Sequence, residues 1–350
     1  MHPGRLCSLL LVTCSLVVGV GAAVPRTADA AEEVTWTPVV LEHAGRTRSA
    51  HLLARAGRPA GVRVPLVLAL HGGGGDGPGL RRNARGQFER QVRQRGWLVV
   101  FPDGVARGWN DGRPLTSARD RERADVDDVA YLDALVDHLV ATASADPDRV
   151  YAVGISNGGF LAIRLGLERG ARYAAVGAVT ASLPEVHVQR GAVPGTTLVM
   201  VNGTEDPLVP YAGGEVRVLG KGRGRILGTE ATATRWAAAL GLSTTPRETS
   251  LPDRRPWDGT RVVERRFAEE GVAAEVVLYR VEGGGHTWPG GGQYLPRALI
   301  GRTSRDVAGA DLVFEVFARH RRPAATVGDP TTGDGAAGAG DPLLPAAGAR

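Results

Sequence analysis

Three stretches of this chain, "VRVPLVLAL" (62–70), "GWLVVFPDG" (96–104) and "DRVYAVGIS" (148–156), are almost continuously apolar, and each leads into a glycine-containing loop. A strand with one wet face alternates apolar and polar residues, whereas a run apolar on both faces suits a central strand covered on each side. Helical patterns lie between such runs. From 127 to 143, Leu132, Leu135, Val136, Leu139 and Val140 recur at helical spacing, with Asp127 and Asp128 at the favoured acidic end. "NGGFLAIRLGLERG" leaves the third strand as a helix. "YAAVGAVTASL", "TTLVMVNGTED", "TEATATRWAAAL", "TRVVERRF", "AEVVLYRV" and "ADLVFEVFARH" continue the alternation. Strands alternating with helices predict an α/β fold, a mostly parallel central sheet covered by helices on both faces. "VTWTPVVLEH" and "TRSAHLLARA" read as an opening pair of strands, with Gly45 in the turn between them.

The segments outside this pattern bound where the chain works. Arg5 followed by "LCSLLLVTCSLVVGV" and "GAAVPRTADA" has the tripartite shape of a secretory signal over residues 1–30, with cleavage expected after Ala30. That run is marginal for spanning about 30 Å of hydrocarbon, so no membrane insertion is expected after cleavage. The product would be secreted or extracytoplasmic, in the periplasm or cell envelope. Both cysteines, Cys7 and Cys14, fall in the signal, and the mature chain would carry no disulfide. Residues 323–350 hold 18 Gly, Ala or Pro and no aromatic residue, a composition expected to be disordered. Residues 31–322 then read as one catalytic domain. Its cations are nearly all arginine, with Lys221 the one lysine, yet "RRNARGQFERQVRQR" and "ARDRERADVDD" interleave acids and point to a solvated surface rather than to nucleic acid. "DVDD" reads as helix capping, not as a metal site.

Ligands of parallel sheets gather beyond the carboxyl ends of the strands, where this chain places "HGGGG", "GISNGG", "NGTEDP" and "EGGGHTWP". "GISNG" (154–158) fits G-x-S-x-G between an apolar strand and an apolar helix, the setting in which a sharp turn exposes a nucleophilic serine, Ser156. A serine hydroxyl needs a base, and the base needs an orienting acid. On such strand–turn–helix scaffolds the chain order is Ser, then Asp or Glu, then His. Asp206 follows a later strand and His286 follows the last one. Glu205 is the rival acid; Asp206 is preferred because Pro207 ends its turn. The bland reading of His286, an imidazole in a glycine-rich surface loop, weakens once these partners are in place. Oxyanion donors are expected from Gly73 in "HGGGG" and from the Asn157 amide, with His71 supporting the loop. His43 and His51 belong to the opening hairpin, His138 to a polar helix face, and His187 and His320 to polar surroundings.

Taken together, "HGGGG", "FPDG" with "GWN", "VDDVAYLDAL", "GISNGG", "NGTEDPLVPY" and "GGGHTWPGG" resemble the secreted poly(3-hydroxybutyrate) depolymerase and feruloyl esterase group of α/β-hydrolases, from about Val62 to Phe317. The resemblance implies an α/β-hydrolase fold, a Ser156–Asp206–His286 triad, oxyanion donors at Gly73 and Asn157, and no metal or organic cofactor. It also implies that Trp109 and Trp288 line the acyl pocket. The implied partner is an ester substrate, either a polyester oligomer or a plant polysaccharide ester. Two rivals share the scaffold: a serine peptidase or acyltransferase, and a non-catalytic surface-binding protein. The chain departs from many members of the group in having no cysteine outside its leader.

Overall fold

The computed structural model describes residues 33–59, 61–114, 116, 121–189 and 196–322, together with Met1. The expected export signal (Met1 aside) and the Gly/Ala/Pro-rich tail lie outside the described residues.

The chain opens with a hairpin, β1 (Val34–His43) and β2 (Arg46–Arg55). Its two-residue turn puts both Ala44 (φ 49°) and Gly45 (φ 71°) in the left-handed region, as a right-twisted hairpin favours. β3 (Val64–Leu70), α1 (Gly77–Asn83), α2 (Gln87–Arg95) and β4 (Leu98–Pro102) follow. Then come α3 (Asp128–Thr142), β5 (Ala145–Ile155), α4 (Asn157–Glu168), β6 (Ala175–Val179), α5 (Glu185–Gln189) and β7 (Thr197–Gly203). After a small hairpin of β8 (Gly214–Val218) and β9 (Lys221–Ile226), the chain forms α6 (Thr229–Ala239) and β10 (Arg247–Ser250). It ends with β11 (Arg261–Phe267), β12 (Val276–Glu282), α7 (Arg297–Ile300) and α8 (Gly309–Phe317).

One ten-stranded sheet runs in the order β1-β2-β4-β3-β5-β6-β7-β12-β11-β10. Its middle, from β4 to β12, is parallel, as predicted. Both margins are antiparallel. Alternate residues of the apolar strands feed two cores. Leu66, Leu68, Ala152, Val176 and Met200 join Leu135, Phe160 and Trp236 from α3, α4 and α6. Val67, Val99, Tyr151, Val153 and Val199 join Phe88, Val313 and Phe314 from α2 and α8. This two-sided burial explains why β3, β4 and β5 carry no polar alternation.

Two arginine-rich stretches are less solvated than the sequence suggests. "RRNARGQFERQVRQR" holds the end of α1 and all of α2, and the inner face of α2 buries Gln87, Phe88, Gln91 and Val92. Half of that face is glutamine, so few apolar residues mark it as buried. In "DVDD", Asp127 caps α3 by accepting from Ala130 N at 3.0 Å. Asp128, in contrast, is buried; it pairs with Arg48 Nη2 at 2.8 Å and accepts from Asn110 N at 2.7 Å. Arg123 is buried as well. Among the described residues, no helix is long and apolar enough to cross a membrane.

Candidate active site

Sheet order assembles the loops singled out in the sequence. β3 and β5 are neighbours, pairing Leu70 with Gly154, so "HGGGG" and Ser156 emerge side by side. β7 and β12 are neighbours too, pairing Gly203 with Val281, so the Asp206 and His286 loops emerge together one strand further along, across β6.

Ser156 stands at the β5–α4 junction with φ 54° and ψ −117°, a conformation that costs a non-glycine residue about 1–3 kcal/mol. Backbone bonds hold it there: Ser156 N donates to Val179 O at 2.8 Å, and Ser156 O accepts from Phe160 N at 2.9 Å. The flanking glycines are a steric necessity. A Cβ on Gly154 would lie 2.2 Å from the Gly158 carbonyl carbon, and one on Gly158 would lie 2.3 Å from Leu70 O.

His286 is buried, and its Nδ1 lies 2.7 Å from Asp206 Oδ2. Asp206 Oδ1 accepts from Leu208 N at 2.8 Å and from Val209 N at 2.9 Å, which fixes the orientation of the carboxyl group. A carboxylate there would accept the Nδ1 proton in a hydrogen bond and leave the Nε2 lone pair for a substrate or nucleophile. Glu205, the rival acid, is exposed and pairs with Arg302 Nη1 at 3.0 Å. The glycines around His286 are packed against neighbouring backbone, not loose. A Cβ on Gly285 would lie 2.2 Å from Ile300 O, and one on Gly203 would lie 2.3 Å from Gly284 O. His286 N donates to Ile300 O at 2.6 Å, and Tyr294 Oη donates to His286 O at 3.0 Å. Tyr294 was not singled out in the sequence; its only signal there was proximity to the histidine.

The "HGGGG" loop lies on the nucleophile turn. A Cβ on Gly72 would be 3.6 Å from Ser156 Cβ, and one on Gly73 would be 3.7 Å from Asn157 Cβ. Neither the Gly73 nor the Asn157 amide is engaged by an acceptor among the described residues. His71 supports the loop as expected: Nε2 accepts from Gly104 N at 3.0 Å, so Nδ1 donates to Gly72 O at 2.8 Å. Burial pushes its pKa below the ordinary imidazole value, which keeps it neutral.

Both tryptophans depart from expectation. Trp288 is fully buried in the α2–α8 core, packed on Phe88, with its indole N–H on Gln87 Oε1 at 2.9 Å. Trp109 is buried in the core of the opposite face and donates from Nε1 to His71 O at 2.8 Å. Neither offers a pocket wall; each braces a loop from behind. His187 is buried, with Nε2 3.0 Å from Asp111 O. His320 bonds Glu275 at 2.8 Å, far from these loops at the opposite ends of the strands. Among the described residues no group of three or more His, Cys, Asp or Glu could hold a metal ion.

No family model matches the sequence. The chain is 33% identical over 286 residues to the protein named "Putative esterase NocK" from Nocardia uniformis subsp. tsuyamanensis, covering 80% of this chain and 81% of that one. It is 27% identical over 198 residues to feruloyl esterase B from Piromyces equi, covering 55% of this chain and only 34% of that longer protein. Among solved structures, the acetyl xylan esterase from Aspergillus awamori superposes with a TM-score of 0.50 at 13% identity, covering 81% of this chain and 99% of that one. At that identity the likeness is one of fold, and the fold is that of the α/β-hydrolases.

Proposed function

This chain belongs to the α/β-hydrolase esterase family represented by NocK, and we propose that it hydrolyses carboxylic esters through an acyl-enzyme formed on Ser156. The observation that carries the reading is the 2.7 Å contact of His286 Nδ1 with Asp206 Oδ2, on loops at the same end of the sheet as the strained Ser156. In this mechanism His286 Nε2 removes the Ser156 proton as Oγ attacks the ester carbonyl. The Gly73 and Asn157 amides hold the oxyanion. The imidazolium, stabilised by Asp206, then protonates the departing alcohol. Water enters by the same route in reverse and releases the acid.

Replacing Ser156 by alanine tests this reading. The variant is expected to lose hydrolysis of short p-nitrophenyl esters by about 10⁴-fold or more and to lose labelling by a fluorophosphonate. Hydrolysis at the parental rate would overturn it.

The substrate class we propose is the feruloyl or acetyl ester of a polysaccharide, which the similarity to feruloyl esterase B supports. Hydroxyalkanoate oligomers, the substrate of the depolymerase side of the resemblance, are the competing class. Parallel turnover of methyl ferulate, acetylated xylan and hydroxybutyrate oligomers separates them. The signal-like composition of residues 1–30 supports action outside the cytoplasm, and N-terminal sequencing of protein recovered from the medium or envelope tests that placement.

A further inference from the structure

Residues 104–113, "GVARGWNDGR", lie between β4 and α3 and hold none of the residues assigned to the chemistry. They nevertheless touch both segments that carry the oxyanion donors. On the "HGGGG" side, Gly104 N donates to His71 Nε2, Gly74 N donates to Arg107 O at 2.7 Å, and Arg107 Nε donates to Gly74 O at 2.8 Å. Trp109 adds its indole bond to His71 O and packs its ring 4.8 Å from the imidazole.

On the nucleophile side the contact runs through one side chain. Asn157 Oδ1 accepts from Trp109 N at 2.7 Å, while Nδ2 donates to Trp109 O at 3.1 Å and to Asp111 Oδ2 at 2.7 Å. That carboxylate is buried and is held in turn by Arg113, with Nη2 2.7 Å from Oδ2 and Nε 3.1 Å from both oxygens. The Arg113 guanidinium lies 3.6 Å from the centroid of the Phe160 ring on α4, one turn beyond Asn157. Burial alone would raise the Asp111 carboxyl, but Arg113 and the Asn157 amide hold it below the usual carboxylate range.

The segment is a taut one. Ala106 (φ 49°) and Arg107 (φ 58°) are consecutive non-glycine residues in the left-handed region. Gly104 cannot carry a side chain, since a Cβ there would lie 2.1 Å from Gly108 O, and a Cβ on Gly108 would have to displace the Arg123 guanidinium, 2.2 Å away. Strain of this kind persists only where the surroundings over-determine the backbone.

We propose that residues 104–113 form a strap that sets the spacing between the Gly73 and Asn157 amides, with Asp111 and Trp109 as its positioning residues at the two ends. The inference rests on the esterase reading of Ser156. An oxyanion hole acts through donors fixed before charge develops, so slack in the strap weakens the transition state more than the bound ester.

The test compares Asp111→Asn and Trp109→Phe with the parent, each normalised by fluorophosphonate titration of reactive Ser156. Trp109→Phe keeps an aromatic ring and removes one donor, so it decides the matter if the buried charge change prevents folding. The expected result is a fall in kcat per reactive serine of about 10- to 100-fold with KM within about threefold. The affinity for a boronic acid that forms a tetrahedral adduct on Ser156 should fall in parallel. The pH dependence of kcat/KM should stay that of the parent, because the His286–Asp206 pair is untouched. Unchanged kcat and boronate affinity in Trp109→Phe would overturn the strap. A parent that neither labels nor turns over esters would overturn the esterase reading and the inference with it.

Discussion

Gln87 Oε1 accepts the indole N–H of Trp288 at 2.9 Å, joining the start of α2 to the loop that carries His286. The same amide makes two further bonds. Oε1 also accepts from Ala310 N at 3.0 Å, and Nε2 donates to Pro289 O at 3.0 Å. A buried glutamine thus ties α2, the histidine loop and α8 together.

Gln87→Leu would leave the Trp288 indole and the Ala310 amide buried without the partner they have here, whereas the Pro289 carbonyl would keep its bond from Gly309 N. Each orphaned group costs about 1–3 kcal/mol, so a loss of roughly 2 kcal/mol or more is expected in urea unfolding. A variant as stable as the parent would show that the loop is held by apolar packing alone.

Asp206 and Glu205 are adjacent in sequence but face different partners, His286 and Arg302. Asp206→Asn keeps the shape but removes the carboxyl oxygen that faces His286 Nδ1, and kcat for a short ester should fall by about 10³- to 10⁴-fold. Glu205→Gln loses only a surface pair with Arg302, worth about 1 kcal/mol or less, and should leave kcat within about twofold. Equal losses in the two variants would contradict the assignment.

Glu275 sits in a cluster of cations at the opposite end of the sheet, and a contribution to acid stability is expected from it. Burial alone would raise its carboxyl, but hydrogen bonds from His320 and Arg319 and the charges of Arg319 and Arg266 bring it down from 4.5 to about 2. Because the folded pKa lies below the unfolded one, this stabilisation is fully present above the ordinary carboxyl range. It fades as pH falls through 4.5 towards about 2. At about 1.4 kcal/mol per unit, and with some screening by solvent, it is worth about 2–3 kcal/mol near neutrality. Glu275→Gln should therefore lower unfolding stability by about that amount at neutral pH and hardly at all near pH ~2. A deficit that persists undiminished into acid would refute this account.

The strand–helix alternation was legible because two-sided burial writes itself as unbroken apolar runs, as in β3, β4 and β5. The Ser156 turn was legible for a steric reason: Gly154 and Gly158 approach backbone that no side chain could approach. Other elements gave little signal. β8 and β9 lie in a glycine- and arginine-rich stretch, and β10, "RETS", is exposed along its whole length, so no hydrophobic period marks them. The inner face of α2 is half amide.

The sequence by itself determined which residues could do chemistry and the order in which the strands would present them, since both follow from residue type and local periodicity. It could not say which way a side chain in a loop would face. Only the tertiary structure placed Trp109 and Trp288 in cores on opposite faces of the sheet, turned Asp206 rather than Glu205 towards His286, and joined Asp111 to Asn157. Those outcomes depend on contacts between segments tens to hundreds of residues apart, where packing and hydrogen-bond satisfaction, not local pattern, select the arrangement.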